Sequence, residues 1–111
     1  MAAGKLNITI EQGATFSKTL TIKDSDGLPI NLTGKTFRSQ VRRRPTDATP
    51  AASFTMAVLN AAAGTLSWQL TATTTSGIVA EPHYYDVEMV DGAVVTRLME
   101  GTAFVNFEVT K

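Results

Sequence analysis

The sequence contains no cysteine and a single histidine. Disulfide bonds, iron–sulfur clusters, thiolate zinc sites and cysteine nucleophiles are therefore excluded. The glycine-rich phosphate-binding patterns of nucleotide enzymes are also absent. Packing of apolar side chains must stabilise the fold, and these make up 43% of the 111 residues. A chain of this length suits one domain with its own core, which we expect over residues 1–111.

Excess charge and long apolar runs are lacking as well. Ten basic side chains balance ten acidic ones, so the formal net charge is zero. Nucleic acid and anionic membranes attract proteins through excess positive charge, so we expect neither as a partner. No run approaches the roughly 20 apolar residues of a membrane-spanning helix, and the first residues do not form a secretion signal. We expect synthesis in the cytoplasm.

The composition favours β-structure. Threonine occurs 17 times and valine nine times, and β-branched side chains suit a pleated sheet better than a helix. Turn signals such as Asp-Ser-Asp-Gly, Leu-Thr-Gly and Asp-Gly recur about every ten residues, the spacing of short strands. This pattern predicts an all-β fold.

Apolar side chains alternate with polar ones along most of the chain, and this period of two predicts which side chains point inward. The predicted inward sets are Leu6, Ile8 and Ile10; Phe16, Leu20 and Ile22; Phe37, Ser39 and Val41; Phe54, Met56 and Val58; Leu66, Trp68 and Leu70; Tyr85, Val87 and Met89; and Ala103, Val105, Phe107 and Val109. Separate strands are expected over residues 93–99 and 103–109. Seven or eight such strands predict an antiparallel β-sandwich, because each of its two sheets has one apolar face to bury.

Three segments interrupt the strands. Residues 45–52 contain Pro, Ala, Thr and one Asp, which predicts a mobile surface loop. Residues 71–77 can form one helical turn with a threonine cap and a glycine stop. Asp91-Gly92 predicts a tight hairpin between two strands.

Catalytic and metal-binding patterns find little support. His83 is the only candidate general base, and without a nucleophile elbow we interpret it as an ordinary surface or half-buried histidine. Asp24-Ser25-Asp26-Gly27 begins like a calcium loop, but the twelfth position holds Lys35 in place of glutamate. Asp86 and Glu88 share the polar parity of one strand, which is typical of a solvated face. We therefore expect no enzyme activity, no metal and no cofactor.

Charge is unevenly distributed along the chain. Residues 35–44 carry five positive charges and no negative one, and residues 81–100 carry five acids and Arg97. If the two blocks lie on different sides, one copy can contact the next through them in a ring or stack. Pairing within one chain, or a solvated edge strand, explains the same pattern. The candidate contact residues are Arg38, Arg42, Arg43 and Arg44 on one surface and Glu81, Asp86, Glu88 and Glu100 on the other.

Aromatic side chains offer a possible platform for sugars. Trp68 shares the parity of Leu66 and Leu70, which favours the core. Tyr84 has the outward parity of its strand and is the better exposed candidate.

Two segments near the N-terminus carry a family resemblance. Residues 8–16 (ITIEQGATF) and 26–38 (DGLPINLTGKTFR) resemble the opening of small bacteriophage virion proteins with an immunoglobulin-like β-sandwich. The N-terminal domain of phage baseplate upper proteins is similar to these. Further matches at residues 64–66, 71–76, 85–88 and 96–101 extend the resemblance over nearly the whole chain.

The resemblance implies a non-enzymatic structural component of a tailed-phage virion. Its place would be the tail or baseplate, or else the neck or capsid surface, in several copies contacting other virion proteins. Because the chain ends at Lys111 without a receptor-binding extension, an adaptor role is expected over direct host attachment. The alternatives are a carbohydrate-binding or adhesion module that uses Tyr84, and a small hydrolase that depends on His83.

Overall fold

The computed structural model describes residues 4–110 and confirms the all-β prediction. It contains strands β1 (Gly4–Lys5), β2 (Ile8–Glu11), β3 (Phe16–Thr21), β4 (Thr36–Arg42), β5 (Ala52–Ser53), β6 (Thr55–Asn60), β7 (Thr65–Leu70), β8 (Pro82–Asp91) and β9 (Val94–Asn106), with one short helix, α1 (Ala72–Ser76).

Two sheets share these strands. The larger sheet has the order β1-β9-β8-β4-β5, with β2 also paired to β9, and the smaller sheet has the order β3-β7-β6. Strands β1 and β2 run parallel to β9, so the expectation of purely antiparallel sheets was wrong there. The reason is that these strands are far apart in sequence and need no hairpin connection, which frees the N-terminal segment to run in the same direction as β9.

The core lies between the sheets and is centred on Trp68, which is fully buried as predicted. Three aromatic rings surround it, with centroids 5.2 Å away for Phe16, 4.8 Å for Phe54 and 5.3 Å for Tyr85. The indole Nε1 donates a hydrogen bond of 3.1 Å to Ser39 Oγ. Because the indole N–H has a hydrogen-bond partner, the ring can be fully buried without leaving a polar atom unpaired.

Four of the predicted inward side chains are exposed instead: Leu6, Val58, Phe107 and Val109. Leu6 lies in the break between β1 and β2, and Val58 stands on the edge strand β6 beside a shift in register. Strand β9 ends at Asn106, so Phe107 and Val109 lie beyond the sheet that would have covered them.

At the C-terminal end, the sequence predicted separate strands over residues 93–99 and 103–109. The structure has one continuous strand there, β9, which contains a bulge. Val87 pairs with Met99 and Glu88 pairs with Arg97, so Leu98 is an extra residue in β9. Leu98 is buried. Because one inserted residue reverses the alternation, the bulge brings Arg97 and Glu100 to the same face of the sheet, although they are three residues apart.

The short helix and the hairpin form where the sequence predicted them. Thr71 caps α1 by accepting a 3.2 Å hydrogen bond from the Thr74 amide, as expected from the sequence. The hairpin between β8 and β9 turns at residues 92–93, where Gly92 has a φ of 60°. Most of the predicted loop over residues 45–52 is irregular, but its last residue, Ala52, begins β5 and is buried.

Candidate functional site

The outer face of the larger sheet collects most of the predicted contact residues. Side chains that point away from the core on β4, β8 and β9 form three rows across the strands. The rows are Arg42, Tyr84 and Thr102; Gln40, Asp86 and Glu100; and Arg38, Glu88 and Arg97. We call these nine residues the charged face.

Arg97 is at the centre of the ionic contacts on the charged face. Its guanidinium nitrogens lie 3.4 Å from Asp86 Oδ2, 3.7 Å from Glu88 Oε2 and 3.9 Å from Glu100 Oε2. A guanidinium presents five donors in one plane and can therefore serve several carboxylates at once. One guanidinium therefore contacts three carboxylates, and a further basic side chain pairs with each of Glu88 and Glu100.

The basic block (residues 35–44) and the acidic block (residues 81–100) pair with each other within the chain. Arg38 Nε lies 2.7 Å from Glu88 Oε1, Lys35 Nζ lies 3.9 Å from Asp91 Oδ2, and Arg43 contacts Glu81. The antiparallel pairing of β4 with β8 places Arg38 opposite Glu88, and it brings the residues that flank the two strands near one another. Intramolecular pairing, left open by the sequence, therefore accounts for much of the charge pattern.

Arg42 and Arg44 are arranged differently from the other basic residues. The guanidinium of Arg42 donates 2.6 Å to the Asp47 carbonyl and 2.8 Å to Gln40 Oε1. Arg42 therefore ties β4 to the segment that follows it. Arg44 is exposed and forms no ion pair within residues 4–110.

Asp86 occupies the middle of the charged face. Desolvation by burial, and then the neighbouring Glu88 charge, raise the pKa of its carboxyl above the ordinary value, and Arg97 offsets part of this rise. A group whose pKa is raised in the folded state makes the protein less stable when it ionises. The ionised Asp86 carboxylate therefore lowers the free energy of unfolding at neutral pH. This destabilisation disappears as the pH falls through the raised pKa of the folded state towards the ordinary pKa of the unfolded chain.

We expect Asp86→Asn to raise the free energy of unfolding at neutral pH and to have little effect at a pH below the ordinary aspartate pKa of about 3.9. Urea unfolding over a pH series measures this difference. The control is Asp26→Asn, which makes the same change in the exposed turn at residues 24–27. A loss of stability at pH 7 in Asp86→Asn would contradict the expected sign.

A groove of about 640 Å³ runs across the charged face. Arg42 and Pro45 lie at one side, and Lys5 and Asn7 lie at the other. The Asn7 side-chain oxygen accepts a 3.1 Å hydrogen bond from the Thr102 amide, which fixes the N-terminal segment against β9. The groove is thus formed by segments from both ends of the sequence.

Two aromatic side chains are exposed on this side of the sheet. Tyr84 is 52% exposed, as its parity predicted, and Phe104 is 43% exposed. Tyr84 pairs with Thr102 and Phe104 pairs with Pro82, so the two aromatic residues are diagonal neighbours on adjacent strands. Phe104 was not among the candidate residues predicted from the sequence, although it shares the outward parity of Asn106.

His83 is buried, contrary to the expectation of a surface or half-buried residue. Strand β8 begins at Pro82, so His83 already takes the inward parity of Tyr85 and Val87. Its Nδ1 lies 2.7 Å from the Glu81 carbonyl oxygen.

Within residues 4–110, no three His, Asp or Glu side chains are grouped so as to hold a metal ion. In the same part of the chain, the structure contains no helix with the length and apolar character needed to cross a bilayer.

Taken together, the two sheets and the buried aromatic centre define an all-β, sandwich-like domain with a charged outer face. The solved structures that share this fold include the N-terminal domain of ORF48 of phage TP901-1. The likeness has a TM-score of 0.53 at 10% sequence identity and covers 96% of this chain and 99% of that one. No protein-family model matches the chain, and no curated protein is similar to it in sequence.

Proposed function

We propose that this protein is a non-enzymatic structural or adaptor component of a tailed-phage virion, located in the tail or baseplate. The observation that carries the proposal is the fold, which extends over nearly the full length of a phage domain. The motifs at residues 8–16 and 26–38 support it independently, and they favour an immunoglobulin-like form of the sandwich. The proposal assigns no catalysis to His83, which is enclosed in the core.

The proposed partners are other virion proteins and further copies of this chain in a ring or symmetric assembly. Eight residues remain the proposed contact set: Arg38, Arg42, Arg43, Arg44, Glu81, Asp86, Glu88 and Glu100. Most of them already have partners within the chain, and a new partner must compete with those contacts. Arg44 is exposed and has no ion pair among residues 4–110, so its contact with a partner protein would not require an existing ion pair to break.

Strand addition at β6 offers a second mode of contact. Strand β6 is at the end of the smaller sheet, where β7 is its only paired neighbour among the described strands. Its Val58 and Leu59 side chains are exposed. An edge strand with unpaired backbone groups and exposed apolar side chains is a template for a strand from another chain.

We expect Leu59→Lys to reduce incorporation of the protein into particles, because lysine on an edge strand opposes strand addition. The matched control is Leu28→Lys, since Leu28 is 60% exposed in a turn and Leu59 is 58% exposed on β6. Both changes should alter the free energy of unfolding by less than about 0.5 kcal/mol. Equal incorporation of the two variants would contradict the role of β6.

The virion role itself is tested by mass spectrometry of purified particles from the phage that encodes the chain. Electron microscopy of the same particles would then give the position and copy number. Failure to find the protein in purified particles would overturn the proposal.

A further inference from the structure

The groove on the charged face has the dimensions and the chemistry of a ligand site. Its volume of about 640 Å³ falls within the usual range of small-molecule sites, about 300–1,000 Å³. The sheet forms its floor, the N-terminal segment lies at one side, and the segment after β4 lies at the other. Both sides are fixed by hydrogen bonds: the Thr102 amide donates to Asn7 Oδ1, and the Arg42 guanidinium donates to the Asp47 carbonyl. The site is therefore formed before any ligand arrives.

The charges that line the groove cancel. Three cationic side chains (Lys5, Arg42 and Arg97) and three carboxylates (Asp86, Glu88 and Glu100) line it. An anionic ligand would meet the carboxylates and a cationic ligand would meet the basic groups, and either approach carries a like-charge cost. This balance favours a ligand without net charge.

The same side chains offer donors and acceptors next to each other. Arg97 Nε lies 3.4 Å from Asp86 Oδ2, and the Arg42 guanidinium donates a hydrogen bond to the side-chain oxygen of Gln40. A carboxylate only accepts hydrogen bonds, a guanidinium only donates them, and an amide does both. A hydroxyl group both donates and accepts hydrogen bonds. Neighbouring hydroxyls on one sugar ring can therefore pair with donors and acceptors that lie side by side in the groove.

An aromatic platform borders the polar groups. Tyr84 lines the groove, and Phe104 lies diagonally across on β9 with the same outward direction. The face of a sugar ring that carries only C–H groups is apolar, and an exposed aromatic ring can cover it. Tyrosine also combines an apolar body with a polar tip, which suits a ligand with both characters.

We propose that the groove binds a short neutral oligosaccharide, with Tyr84 stacked on one sugar ring and with Asp86, Arg97 and Gln40 bonded to its hydroxyls. Phe104 extends the platform towards a second ring. Four residues of the proposed contact set also line the groove, so a bound sugar and a partner protein would compete for it. The virion role does not require sugar binding, and either proposal can fail without the other.

The test is a titration of the ¹⁵N-labelled full chain with three neutral disaccharides, cellobiose, lactose and chitobiose, followed by amide chemical shifts. We expect at least one to give saturable shifts at residues 84–86 and 100–102, with a Kd on the order of 1 mM. Tyr84→Ala should weaken binding about tenfold or more, and Tyr84→Phe should retain it because the ring remains. Leu28→Ala, an exposed change outside the groove, should leave the affinity unchanged.

Several results would overturn the proposal. These are the absence of saturable shifts with all three disaccharides, an unchanged affinity in Tyr84→Ala, or tighter binding of sialyllactose or glucosamine than of the neutral sugars. Shifts of the same amides with protein concentration alone would assign the groove to a second copy of the chain instead. Detection of the protein in virions bears on none of these outcomes.

Discussion

Replacing Trp68 with alanine should destabilise the protein by about 3 to 5 kcal/mol, the usual cost of removing a large aromatic side chain from a core. Trp68 is fully buried and lies among Phe16, Phe54 and Tyr85, which come from both sheets. Its removal leaves a cavity where the sheets meet, and small domains have a total stability of only about 5–15 kcal/mol. We therefore expect Trp68→Ala to be close to unfolding at 37 °C.

Urea unfolding followed by circular dichroism measures this loss. Fluorescence is unsuitable because Trp68 is the single tryptophan. Tyr84→Ala is the control, since it removes an exposed aromatic side chain from the outer face of the larger sheet and should lower the free energy of unfolding far less. A cost below about 1 kcal/mol for Trp68→Ala would show that the indole is not enclosed, because surface substitutions change stability by about 0.5 kcal/mol.

Replacing Gly64 with alanine should destabilise the protein by about 2 to 5 kcal/mol through two separate effects. Gly64 has a φ of 71°, a conformation that costs other residues about 1–2 kcal/mol. A Cβ atom there would lie 2.7 Å from the Ile22 carbonyl oxygen and 2.9 Å from that of Ile30. Both contacts are with backbone, so relief requires movement of the chain, which typically costs about 1–3 kcal/mol.

Gly27→Ala separates the two effects. Gly27 has a φ of 80°, but a Cβ atom there would meet no atom within 4 Å. It therefore carries the conformational cost without the steric one, and Gly64→Ala should be the more damaging change in urea unfolding. Equal losses in the two variants would mean that the turn at Gly64 moves freely away from Ile22 and Ile30.

The contacts around Gly64 show why this turn matters. The Ile22 amide donates 2.8 Å to the Gly64 carbonyl, and the Leu32 amide donates 2.9 Å to the Ala61 carbonyl. The β6–β7 turn is thereby joined to the connection between β3 and β4, which leads from the smaller sheet to the larger one. Displacement of the turn would disturb the junction of the two sheets.

Alternation in the sequence was sufficient for most of the core. Ile8, Ile10, Leu66, Trp68 and Val87 all have the inward positions that their parity predicted. The reason is local, because a strand places successive side chains on opposite faces whichever strand is its neighbour. The threonine cap of α1 and the hairpin after β8 were predictable for the same reason, since each depends on a few adjacent residues.

Predictions failed where a strand ends or breaks. Phe107 and Val109 continue the alternation of β9 but lie past its last paired residue, and Leu6 lies in the gap between β1 and β2. His83 was assigned to the wrong environment because the start of β8 was not apparent from the sequence. Strand ends are set by which neighbours remain available for pairing, and that information is distributed along the chain.

The sequence by itself determined an all-β chain, the inward parity of its strands, the outward position of Tyr84, the excess of basic residues over residues 35–44 and the excess of acidic residues over residues 81–100. Only the tertiary structure decided that these charges face one another and that a bulge at Leu98 brings Arg97 to the same face as Glu100. It also decided that the N-terminal strands run parallel to β9 and that Lys5 and Asn7 form one side of the groove. The physical reason is that alternation is a property of each strand alone, whereas register and bulges are fixed by pairing between residues distant in sequence.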